Sequence, residues 1–130
     1  MSKGYFVRTL GCLLLCATGV FAQQISGSLT GVVKDSQQAV VINAKITLTN
    51  AQQGTTRDAT TGTDGAFVIA QVQPGTYNLT VEAPGFRKVE QKDVQVFAND
   101  RVSVGDIVLT VGALNETVTV ESTEIGRAHV

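Results

Sequence analysis

Apolar and polar residues alternate most cleanly at 76–82. Tyr77, Leu79 and Val81 fall on one side of this stretch, and Thr76, Asn78, Thr80 and Glu82 on the other. A period of two marks a strand with one face on a core and one in water. The stretch lies between Pro74-Gly75 and Pro84-Gly85, and Asp64-Gly65 precedes a shorter run carrying Phe67 and Ile69. All three dipeptides are turn signals, because glycine accepts positive φ without a Cβ clash and proline presets φ for a corner. The segment 63–86 therefore predicts turn, strand, turn, long strand, turn, and the rest of the chain is organised around it.

The same reading extends in both directions. Segment 25–34 carries Leu29, Val32 and Val33 and is punctuated by Gly27 and Gly31, which predicts an edge-like first strand ending at Asp35. A polar turn at 35–38 and a short apolar run at 39–42 lead to 45–50, where Ile46 and Leu48 point inward. After a turn at 50–54, the threonine-rich segment 55–61 suits a strand with a solvated face. Segment 86–96 returns with Val94 and Val96 on one face, and Asn99-Asp100 turns the chain again. The last full strand is 101–111. Its apolar positions change from even (Val102, Val104) to odd (Ile107, Leu109, Val111), so a bulge is expected around Gly105. A further alternating segment begins at 117–120. About seven short strands at regular spacing, with no sustained helical period, predict an all-β, seven-stranded sandwich.

The N-terminus follows another pattern. Lys3 and Arg8 flank a basic start, 10–21 is almost continuously apolar, and Val20-Phe21-Ala22 precedes Gln23. These are the parts of a secretory signal peptide, expected as a helix at 1–22 cleaved between Ala22 and Gln23. The run is short for a membrane span. Cys12 and Cys16 both lie within it, and Cys16 follows Leu15 where a lipoprotein signal needs a small residue. Cleavage leaves a module without cysteine, held by its core alone.

Composition narrows the chemistry. The 130 residues suffice for one modest domain. Eight basic and eleven acidic residues follow position 23 with no basic stripe, so nucleic acid is excluded as a partner. The end of the chain, 124–130, reads back through GAG-ATC-GGA-AGA-GCA-CAC-GTC as a common short-read sequencing adapter. It is expected to be an artefact, so that His129 carries no functional weight and the natural chain is a longer one continuing past 122–123. Without cysteine or a trusted histidine, thiol catalysis, histidine-based triads and the usual zinc ligand sets fall away. Asp58 and Asp64 could pair across a turn, but turn carboxylates more often cap backbone groups. Asp64-Gly65 lacks the alternating oxygen ligands and closing glutamate of a calcium loop. No catalytic, metal-binding or cofactor-binding residue is expected. The aromatics after Ala22 are Phe67, Tyr77, Phe86 and Phe97. The first two sit on inferred core faces and Phe86 can cover a sheet edge, so a carbohydrate partner is possible without being favoured.

Gly31-x-Val33-x-Asp35, Ala44-x-Ile46-x-Leu48, Thr63-Asp64-Gly65-x-Phe67, Pro74-Gly75-x-Tyr77-x-Leu79-x-Val81 and Gly85-Phe86 together resemble the carboxypeptidase regulatory-like domain. The resemblance implies a transthyretin-like, seven-stranded sandwich at 23–111, with Asp64, Gly65, Phe67, Gly75, Tyr77, Leu79, Val81, Gly85 and Phe86 as its structural motif. Gln38 stands where that family usually has glycine, and Ile42-Asn43 where it usually has Pro-Gly; Asn43 can keep the turn because asparagine tolerates left-handed φ. The continuation 111–120 resembles the join that follows this domain in TonB-dependent, Oar-like outer-membrane receptors. That likeness makes 112–123 the start of a linker or following domain and places the sandwich in the periplasm as part of an outer-membrane protein. Its partners would be its own plug and barrel and a TonB-type energy-coupling protein. Two other readings stand beside it: a secreted glycan-binding or adhesion sandwich, and an interaction domain that adds a partner strand at an edge.

Overall fold

The computed structural model describes residues 19, 25–113 and 115–121. The expected signal peptide, its cleavage pair Ala22 and Gln23, and 124–130 lie outside the described residues, apart from Gly19. Within them the alternating segments become eight strands: β1 (Gly27–Asp35), β2 (Lys45–Asn50), β3 (Thr56–Thr60), β4 (Ala66–Val72), β5 (Gly75–Glu82), β6 (Lys88–Val96), β7 (Arg101–Leu109) and β8 (Thr117–Glu121). One sheet has the order β4-β1-β7 and the other β3-β2-β5-β6-β8. The described chain is thus all-β in two layers, with β1–β7 within 23–111 and β8 formed by the alternating segment beyond it. β1–β7 and β6–β8 pair in parallel, and the remaining neighbours are antiparallel.

The inward faces supply the core. Leu29, Val33, Ile46, Leu48, Leu79, Val81 and Leu109 are fully buried, with Phe67, Tyr77 and Val94 packed among them. Across the sandwich β3 lies against β4, while β6 lies against β7 and β1. As the alternation at 76–82 predicts, Tyr77, Leu79 and Val81 are inside, while Thr76, Asn78, Thr80 and Glu82 take the outer face.

β1 is the middle strand of its sheet, not an edge strand. The glycines that suggested an edge are a packing feature. Gly27 and Gly31 point inward in step with Leu29 and Val33. A Cβ on Gly31 would lie 2.7 Å from the Phe67 ring and from Val104 Cγ2. Glycine here leaves room for side chains of the two flanking strands, β4 and β7, to meet over β1.

Three bulges shape the strands. The expected one is present: Gly105 has φ +71, and the β1–β7 pairing slips between Thr30 and Val32. The other two have no glycine to announce them. Gln71 (φ 55) accompanies the slip in β1–β4, and Asp93 (φ 59) the slip in β5–β6. Gly75, expected to supply a turn corner, is instead a strand residue paired with Val96 and takes no positive φ. Val111 is 77% exposed rather than inward, because β7 ends at Leu109 and Val111 makes only an isolated bridge to Phe86. In the first turn region Asn43 adopts φ 58 as expected and Gln38 takes φ 68. Asp35 Oδ1 stabilises that turn by accepting from the Gln37 and Ala39 amides at 2.8 and 3.0 Å.

The threonine-rich strand ends on an exception to its solvated character. Thr61 is 2% exposed; its Oγ1 accepts from the Ala44 amide at 2.9 Å and donates to the Val41 carbonyl at 2.7 Å. Thr61→Val keeps the shape but strands both backbone groups. It should lower stability by about 2 kcal/mol, read as a fall in the urea midpoint with an unchanged slope.

Candidate functional site

The motif residues singled out from the sequence prove to be scaffold. Asp64 Oδ1 accepts from the Ala66 amide at 3.0 Å, closing the turn in which Gly65 takes φ +71. The Gly65 carbonyl accepts from Val33 N at 2.8 Å, tying that turn to β1. Phe67 fills the space left by Gly31. Tyr77 is 5% exposed, and its hydroxyl donates to the Gln73 carbonyl at 2.6 Å. Gly85 has φ +82 and its carbonyl receives Gly112 N at 3.1 Å, while Phe86 packs partly buried against the core. Leu79 and Val81 are core, and Gly75 begins β5. Together they build two turns and the sandwich interior, and they converge on no cleft.

The acidic residues do not converge either. Asp58 lies on exposed β3, paired with Thr47 of β2, and Asp64 is engaged in its own turn. Among the described residues no group of three or more histidine, cysteine, aspartate or glutamate side chains is placed to hold a metal.

A groove of about 500 Å³ opens where β3 and the end of β4 diverge. Gln53, Thr55, Arg57, Gln71 and Gln73 line it, with Tyr77 reaching its wall. Local structure positions each of them. Asn50 Oδ1 accepts from the Gln52 and Gln53 amides at 2.9 and 2.8 Å and holds the β2–β3 turn. The positive φ of Gln71 offsets the end of β4. Arg57 Nη1 crosses from β3 to the Ala70 carbonyl on β4 at 2.9 Å. The lining offers amides, hydroxyls and one guanidinium, and it contains no carboxylate, thiol or imidazole. Such a surface can hydrogen-bond a polar ligand, but it has neither a general base nor a nucleophile–base pair. No sequence signal marks this groove, since its glutamines and Arg57 lie in segments without motif or alternation.

A second feature stands at the opposite edge. Gln91 faces inward on β6 at 6% exposure, and among the described residues its Nε2 has no hydrogen-bond partner. Its register partner on β8 is Val120. Arg87 and Glu116 form an ion pair at 2.6 Å, and Lys88 N donates to the Glu116 carbonyl at 3.0 Å, which together fix the entry to β8.

Comparison with known proteins agrees with this architecture. A family model described as carboxypeptidase regulatory-like domain matches residues 28–110. Among curated proteins none matches at a significant level. The chain is similar in structure to the Bacillus anthracis TIE protein, with a TM-score of 0.56 at 16% identity over 66% of this chain and 16% of that one. It is also similar to a chain of a type II cohesin–X-dockerin complex from Acetivibrio cellulolyticus, with a TM-score of 0.52 at 24% identity over 66% and 58%. A third likeness is to hydroxyquinol 1,2-dioxygenase from Pseudomonas putida DLL-E4, with a TM-score of 0.50 at 14% identity over 71% and 58%. The chain spans less than two thirds of each of these proteins, and at such identities the likeness is one of fold.

Proposed function

Because the chain belongs to the carboxypeptidase regulatory-like domain family, we propose that it is the non-catalytic accessory domain of a TonB-dependent outer-membrane receptor. It is exported by the segment 1–22, lies in the periplasm and stands ahead of a plug and barrel. The observation that carries this reading is the course of the chain after the family match ends at residue 110. It leaves β7, crosses to the other layer and continues as β8 alongside β6. The crossing is pinned: Arg87 N donates to the Thr110 carbonyl at 2.8 Å, and the Arg87 side chain pairs with Glu116. A chain that leaves as a paired strand gives a downstream domain a set direction, unlike a flexible linker. The sandwich can then act as an oriented spacer, bearing on how the energy-coupling protein meets the plug.

The regulatory-like family is non-catalytic, which fits a groove whose polar lining holds amides, hydroxyls and one guanidinium. That groove is what favours the second reading, a secreted glycan-binding sandwich. Against it, the Tyr77 ring beside the groove is buried in the core and gives no flat platform for a sugar.

Long-read sequencing of the locus tests the receptor reading. The frame is expected to run through Val120 into several hundred further codons, with barrel strands of about ten alternating residues. A stop codon within a few residues of Ser122 would remove it. Export has its own check: intact-mass analysis of the secreted protein should place the mature N-terminus at Gln23, and a mass retaining Met1 would contradict cleavage there.

A further inference from the structure

The two sheets are unequal, with three strands against five. Contacts between the layers run from β3–β4 at one side to β6–β7 at the other, so among the described residues β8 extends past the three-stranded layer. Val118 and Val120 are register partners of Val89 and Gln91. Partners in a ladder share a face, so both valines point to the core side. Yet they are 39% and 44% exposed, while Val89 and Gln91 are 7% and 6%. Next to this overhang β7 pairs with β1 along one edge and, among the described residues, has no strand on the other. The result is a step, with a floor of valines continuous with the core and a wall of unpaired strand backbone.

Register fixes the height of the step. The bond from Arg87 N to the Thr110 carbonyl sets the start of β6 level with the end of β7. Thr117 pairs with Lys88 and Glu121 with Lys92, so β8 stands level with the part of β7 that lies beyond the Gly105 bulge. The edge available there is the regular half, 106–109.

We infer that the step is a homodimer interface in which β8 of each copy pairs antiparallel with the free edge of β7 in the other. The step is one strand wide and is its own complement. A half-turn about an axis along the strands, between the layers, lays the second copy's β8 over the valine floor and against β7. The first copy's β8 does the same in return, which makes the contact isologous and closed. Direction is also correct: β6 and β7 run oppositely through the turn at 97–100, and β8 is parallel to β6, so the arriving strand is antiparallel to β7. Val118 and Val120 of both copies then face each other across the layers, and the two sheets become continuous. Other edges of a second copy do not fit. β7 against β7 would drive each overhanging β8 into the other copy's β6, which lies in the same layer, and β4 against β7 would bring β3 into the place of β8. The inference concerns a surface of the sandwich itself and stands independently of the plug and barrel proposed downstream of β8.

Sedimentation equilibrium of the exported chain, together with amide hydrogen exchange, tests this. The contact is small, so dimer should become abundant at concentrations on the order of 100 µM. Val120→Lys should weaken it by about tenfold or more. Val120 is partly exposed, so the variant should keep the wild-type circular dichroism. Exchange of wild-type protein at low and high concentration needs no variant, and amides at 106–109 and 117–121 should slow together as dimer forms. A monomer persisting to about 1 mM, a dimer indifferent to Val120→Lys, or protection appearing at β3 or β4 instead would each overturn the inference.

Discussion

Tyr77→Ala is expected to cost about 3–5 kcal/mol of folding stability, the loss typical of a buried aromatic side chain cut back to Cβ. The ring is 5% exposed on the inner face of β5, a strand flanked by β2 and β6, so surrounding side chains cannot collapse freely into the space it leaves. Its hydroxyl donates to the Gln73 carbonyl at 2.6 Å. Tyr77→Phe should therefore lose only about 1 kcal/mol, the worth of that bond. Thr80 lies on the outer face of the same strand, and Thr80→Ala should cost about 0.5 kcal/mol or less. Urea titrations of the three variants separate these values. Equal midpoint shifts for Tyr77→Ala and Thr80→Ala would mean that the inward face of β5 has been assigned wrongly.

Gly31→Ala should destabilise by about 2–3 kcal/mol through overpacking. The added methyl would meet the Phe67 ring and Val104 Cγ2 at 2.7 Å, and Phe67 is only 2% exposed with no room to retreat. Gly105 is the matched control, since a Cβ there meets nothing within 4 Å and the only penalty is its φ of +71. Gly105→Ala should cost about 1 kcal/mol, the strain of a left-handed alanine. Thermal unfolding would rank the two; a loss at Gly31 no larger than at Gly105 would show that Phe67 and Val104 can shift to accept the methyl.

Legibility in the sequence tracks the physics of each segment. Where a strand is covered on one face and wet on the other, alternation exposes it, as in β2 and β5. The Gly105 bulge is legible because two apolar runs of opposite parity meet at a residue free to take positive φ. The bulges at Gln71 and Asp93 are not, since residues with side chains are held there in a conformation they do not advertise. The central placement of β1 escapes a sequence reading because glycine has two uses in a strand, and only tertiary packing distinguishes an interruption from a close approach. The groove is invisible for a similar reason: Arg57 and Gln71 come from different sheets and meet only once the sandwich closes. The motif residues that resemble the family are turns and core positions, which is why they announce a fold and no chemistry.

The central position of β1 has a consequence in time. Its partners are β4 and β7, and its contacts with β7 join residues 72 apart, as in Thr30 with Val102 and Lys34 with Asp106. A chain threaded through a membrane from its N-terminus, as the proposed export requires, delivers the middle strand of one sheet long before the strands that flank it. Contacts so distant in sequence must overcome the entropy of closing a long loop before they contribute anything, so the rate of acquiring structure is slow. On that proposal the three-stranded sheet stays incomplete until β7 has crossed, which favours an export-competent chain. The burden would then shift to the far side, where β1 has to wait for β7 with one edge open and be kept from pairing with the wrong neighbour.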